Sequence, residues 1–141
     1  MKHYKYLKYF TIHHGSLVYT GPAPATRKEA FKISLAKWWI LTRPETYTFN
    51  LISEGAQDTC GLCMKYYEHN CIRCPIYLDT GHETCEGNTF YTEFSAELQS
   101  DHNLSVLLDY ANDEYYYILR MAKIYYPNYP WEDLQKYILF D

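Results

Sequence analysis

Five cysteines cluster between residues 60 and 85, spaced as Cys60-Gly61-Leu62-Cys63, Cys71-Ile72-Arg73-Cys74-Pro75 and Cys85. Two residues between cysteines let both sulfurs meet one ion at about 2.3 Å, and two such pairs complete a tetrahedron. The doubled C-x-x-C therefore predicts structural zinc. Only seven residues separate the pairs, fewer than in ribbon-type sites. Pro75 also has no N–H to offer a neighbouring thiolate. The expected ligands are Cys60, Cys63, Cys74 and either Cys71 or Cys85, with His69 and His82 as substitutes. Four protein ligands leave no open position, so such a metal holds structure and does no chemistry. Iron–sulfur binding is the alternative suggested by Cys74-Pro75, although the close-spaced cysteines of that run are missing. A redox dithiol would need one pair at the start of a helix after a strand, and it leaves the second pair unexplained.

Other residues make a poorer case for catalysis. Asp79, Glu83 and Glu86 could bind Mg²⁺ or exchange protons, but carboxylates in a wet loop are ordinarily just solvated. A zinc deaminase needs His-x-Glu followed by Pro-Cys-x-x-Cys, and here the proline follows the cysteine pair. His13-His14 could serve a metal-dependent nuclease, yet they precede both cysteine pairs instead of lying between them. They read better as the tip of a hairpin. Phosphate-loop, dinucleotide, zinc-protease and nucleophile-elbow motifs are all missing. The expectation is binding, with no catalytic residue and a nuclease as the lesser alternative.

The surface offers two binding chemistries. Net charge is −4, which disfavours a generic nucleic-acid coat, but the charge is polarised. Residues 1–43 hold eight Lys and Arg against the single acid Glu29, while residues 74–119 hold nine acids and no Lys or Arg. Tyrosine supplies 17 of the residues, concentrated toward the C-terminal part of the chain. Three successive residues on a helix span more than half its circumference, so Tyr115-Tyr116-Tyr117 must turn at least one ring outward. With Asp109, Asp113 and Glu114 they predict an acidic, tyrosine-rich face for a basic protein partner. The alternative partner is nucleic acid, with Lys5, Lys8, Arg27, Lys28 and Lys32 on phosphates and Tyr4, Tyr6 or Tyr9 stacking on bases. A third reading joins the basic stretch of one copy to the acidic stretch of another, giving a homo-oligomer.

These residues need positioning. The 141 residues are enough for one domain with its own core, and 48% hydrophobic with 21% charged residues is an ordinary folded composition. Alternation from His3 to Ile12 predicts a strand, His13-His14-Gly15-Ser16 a turn, and Leu17-Val18-Tyr19 the returning strand. Thr26-Arg27-Lys28-Glu29 is a capping box opening a helix. That helix buries Phe31, Leu35, Trp38 and Leu41 or Thr42, leaves Lys28, Lys32 and Lys37 wet, and stops at Pro44. Tyr47–Leu51 alternates as a short strand, and 54–88 reads as a loop-rich metal module. Helices follow over Phe90–Leu98 and over Leu104–Tyr125, the latter capped by Asp101 or Asn103 and ended by Pro127. Pro130 opens a last helix through Trp131, Leu134 and Ile138. The expected fold is a single α+β domain over 1–141: hairpin and helix in 1–53, zinc module in 54–88, and helical acidic part in 89–141.

No apolar run reaches 18 residues, so no membrane span is expected. The scattered lysines of residues 1–8 do not make a secretory signal, which predicts a reducing cytoplasm. The block Cys60-Gly61-Leu62-Cys63, Tyr66-Tyr67, Cys71-Ile72-Arg73-Cys74-Pro75, Cys85 and Phe90-Tyr91 resembles that of small accessory proteins of tailed bacteriophages. The likeness covers about residues 38–94. It implies a metal-binding viral accessory protein acting in a bacterial host cytoplasm, and it implies no reaction. An inhibitor or modulator of a host or immune protein is the corresponding expectation.

Overall fold

The longest early run of good helix formers follows Thr26, and it folds into the central helix α1 (Arg27–Leu41). The computed structural model describes residues 5–55, 59–66, 74–80, 89–100, 103–133 and 135. The Thr26 hydroxyl accepts the Glu29 amide at 3.1 Å, and the Glu29 carboxylate accepts the Ala25 amide at 3.2 Å, one residue before the amide expected. At the far end, three orphan carbonyls are met by hydroxyls. Thr42 donates to Trp39 at 2.5 Å, Thr46 to Ile40 at 2.6 Å and Tyr47 to Leu41 at 2.6 Å. This capping explains why Tyr47–Leu51 is not the expected strand. Pro44–Phe49 winds into a 3-10 helix that carries Thr46 and Tyr47 back under α1.

The hairpin forms from β1 (Phe10–His13) and β2 (Ser16–Tyr19), antiparallel, with Ile12 opposite Leu17. His14 and Gly15 both take positive φ, 52° and 78°, the two-residue turn whose twist matches the strands. The expected strand from His3 is corrected over Lys5–Tyr9, which is a 3-10 helix. Its spacing of three pairs the Tyr6 and Tyr9 rings, 6.5 Å apart, and buries Tyr6 against Ile33 and Ala36 of α1. Ser53 runs parallel beside Ser16, accepting the Leu17 amide at 3.0 Å.

Within the region read as loop-rich, two short helices form, α2 (Gly61–Tyr66) and α3 (Pro75–Thr80). Beyond them lie α4 (Thr89–Gln99) and α5 (Leu104–Tyr125), both close to expectation. Asn103 caps α5, its Oδ1 accepting the Val106 amide at 3.2 Å. Residues 130–133 are not helical, and the rest of the expected last helix, apart from 135, lies outside the described residues. The fold is α+β, a two-stranded sheet with helices. α1 packs against α5 and α2, and α4 against α5. Phe31, Leu35, Trp38, Leu62, Phe94, Leu107 and Tyr115 fill the shared core, with the Trp38 and Phe94 rings edge to face at 5.2 Å. Among the described residues no helix is long and apolar enough to cross a membrane.

Candidate metal centre and binding surfaces

The glycine inside Cys60-Gly61-Leu62-Cys63 has a steric reason. A Cβ on Gly61 would collide with the Ala30 carbonyl and the Ile33 side chain, so only glycine lets the start of α2 lie on α1. Cys60 stands just before α2, its carbonyl accepting the Met64 amide at 2.9 Å, and Cys63 follows one turn in. Cys74 occupies the matching place before α3, its carbonyl accepting the Leu78 amide at 3.0 Å. All three are buried and none is in a disulfide. The Cys60 thiol is pulled down to about 6 by its hydrogen bond with Cys63, helped by the Lys37 charge and the Ser34 hydroxyl, against the effect of burial. The Ser34 hydroxyl lies 3.6 Å from Cys60 Sγ and accepts the Leu62 amide at 3.3 Å. Two adjacent sulfurs, one favoured as thiolate, are the donor chemistry a soft cation needs. Among the described residues no three Cys, His, Asp or Glu side chains converge for an ion. Cys71, Cys85, His69 and His82 lie outside the described residues.

Behind these sulfurs sits a buried ion pair. Lys37 Nζ lies 2.5 Å from Glu54 Oε2, with side chains 1% and 6% exposed, and the Tyr91 hydroxyl donates to Glu54 Oε1 at 3.0 Å. The expectation that Lys37 is wet is therefore corrected. α1 is covered on more than one side, by α2 and α5, so its middle has no solvent face. The signal was present, since Lys37 is the single charge in the run Ile33–Leu41. Its ammonium is held above the ordinary lysine range by the charges of Glu54, Cys60 and Cys63, which outweigh burial.

The expected acidic face divides along α5. Glu114, Tyr115 and Tyr117 are buried, and of the three tyrosines only Tyr116 is exposed, at 40%. Tyr116 donates to Asp133, and Tyr117 donates to Asp79 at 2.5 Å, pinning α3 to α5. Asp79 thus has a structural partner, while Glu83 and Glu86 lie outside the described residues. Asp109 and Asp113 stay exposed. Sequence reasoning missed what joins them, the seam between α4 and α5. There Tyr110 faces Glu93, Glu97 and Asp113, and the Glu93 charge leads the effects that push its hydroxyl above the ordinary tyrosine range. No protein-family model, curated protein or solved structure matches this chain.

The basic residues gather elsewhere. The Arg27 guanidinium lies 4.3 Å from the Tyr125 ring centre, and its Nε donates to the Tyr126 hydroxyl at 3.2 Å. Lys28 and Lys32 reach the Tyr129 ring at 4.5 and 4.6 Å. These rings therefore pair with cations about 100 residues upstream, a contact no local pattern reveals. Lys8 is exposed over the Tyr9 ring at 5.2 Å, and the side chain of Lys5 lies outside the described residues. Tyr6 is buried and Tyr9 packs on Tyr19, so the expected stacking role of Tyr6 is corrected. His13 and His14 are exposed at the hairpin tip.

Proposed function

We propose that this chain is a non-catalytic binding protein that docks a basic protein surface through the seam of α4 and α5. The observation that carries the reading is the gathering of Glu93, Glu97 and Asp113 around the half-buried Tyr110, in a stretch of chain without Lys or Arg. Carboxylates set around a tyrosine combine long-range steering with a contact residue of large area and low entropy. A host or immune protein whose basic surface ordinarily grips nucleic acid has the complementary chemistry. This agrees with the phage-like cysteine block and with a cytoplasmic setting for buried thiols.

In this reading zinc stabilises the fold. Cys60 and Cys63 supply the adjacent pair of sulfurs, and the other two ligands come from Cys74, Cys71, Cys85, His69 and His82. Native mass spectrometry of the protein from its producing cell reports metal and partner together. Bound zinc and a salt-sensitive partner, lost from Glu93→Lys/Asp113→Lys but kept by Lys28→Gln, support the reading. Unchanged partner recovery by the reversed variant overturns the docking surface. A metal-free protein whose melting temperature ignores chelators overturns the zinc.

A further inference from the structure

The geometry points to a second binding site on a different face, a cleft for single-stranded nucleic acid between the start of α1 and the segment after α5. The cleft holds about 410 Å³ and is lined by Lys28, Tyr125, Tyr126, Asn128, Tyr129 and Pro130. Arg27, Lys28 and Lys32 stand over three tyrosine rings at its edge, and Trp131 closes on Tyr129 edge to face at 4.8 Å. A cation stacked on a ring keeps its whole charge, whereas one in a salt bridge has it cancelled. Arg27 and Lys28 make no ion pair among the described residues, and Arg27 uses only Nε in a hydrogen bond, to Tyr126. Lys65 brings a further cation to the segment just before α1, donating to the Ala25 carbonyl at 2.9 Å. The one nearby acid in the first turn of α1, Glu29, is turned onto the Ala25 amide.

Arg27 and Lys28, without an ion pair among the described residues, beside half-exposed aromatic rings suit a ligand with both phosphates and flat faces. A duplex hides its bases, and an acidic peptide would satisfy the cations but leave the rings unused. A single strand uses both, and the volume is in the range of pockets that take one base-sized group. This site is independent of the acidic seam, since it lies on other elements and takes the opposite charge.

The test is fluorescence anisotropy of the full chain with a labelled oligothymidylate of about a dozen nucleotides. Two phosphate contacts, from Arg27 and Lys28, give a slope of log K against log salt of about −1.4. Lys28→Gln flattens that slope by about 0.7, while Tyr129→Leu weakens binding about tenfold and leaves the slope alone. Both variants sit at the surface, and thermal melting checks that each stays folded. Glu93→Lys/Asp113→Lys keeps its affinity, which separates this site from the protein-docking seam. No binding by folded wild-type protein at low salt overturns the inference. So does equal competition by polyglutamate with no effect of Tyr129→Leu, which would mark an anion site without stacking.

Discussion

Helix α1 treats the same residue type in two opposite ways. Lys28 and Lys32, in its first turns, lie against the Tyr129 ring at the surface, whereas Lys37, little more than a turn beyond Lys32, is sealed inside against Glu54. A ring's quadrupole is enough for an ammonium that water still reaches. Out of water, the charge must meet an opposite charge and further hydrogen bonds, here Glu54 held in turn by Tyr91. The difference shows where charge is available for binding, at the start of the helix, and where it is locked into the fold, at its middle.

Breaking the buried pair has the largest expected effect. Lys37→Met or Glu54→Gln alone strands one buried charge and destabilises the protein by about 3–5 kcal/mol in urea unfolding. Lys37→Met combined with Glu54→Met recovers much of that loss, because two apolar groups leave no charge unpaired. Equal losses in the single and double variants would show that the pair is not coupled and erase the contrast within α1.

A smaller effect is expected on the alkaline side. Lys37 has its folded value raised above 10.5, so its contribution is complete below that pH and fades as pH rises through the folded value. Tyr19 acts in the same direction. Burial, then the neighbouring Tyr6 and Tyr9, raise it from 10.0 to about 12, so the unfolded chain ionises first and stability falls between those values. Urea midpoints measured from pH 9 to 12 should decline, and Tyr19→Phe should flatten the decline. A constant midpoint contradicts both assignments.

The legible parts of the fold were those written in neighbouring residues. Thr26 with Glu29, Asn103 with Val106, and the positive-φ pair His14-Gly15 are local chemistry, and α1, α5 and the hairpin tip followed from them. Tyr6–Tyr9 and Tyr47 misled because β-forming residues in an alternating run also suit a 3-10 turn. The choice was made by distant partners, Ile33 and Ala36 in one case and the carbonyl of Leu41 in the other. For the site, the cysteine spacing and the polarity of charge were visible. The α4–α5 seam around Tyr110 and the cage of Arg27, Lys28 and Lys32 were not, because their parts meet only after the chain has folded.

The smallest effect belongs to the surface cations, and it sharpens the comparison most. Arg27→Gln and Tyr126→Leu should each lower stability by only about 0.5–1 kcal/mol, the range of a solvent-exposed cation–π contact. A double-mutant cycle on these two should give a coupling near about 0.5 kcal/mol, read from urea midpoints at constant slope. The same cycle on Lys37 and Glu54 should give a coupling several times larger, since each single change there leaves its partner charged and dry. A weakly coupled cation can be drawn onto a phosphate with little loss to the fold, while Lys37 cannot leave Glu54 without opening the core. Couplings of equal size would mean that the start of α1 is held in the fold no less tightly than its middle, and the cleft beside Tyr129 would then have no charge to offer a ligand.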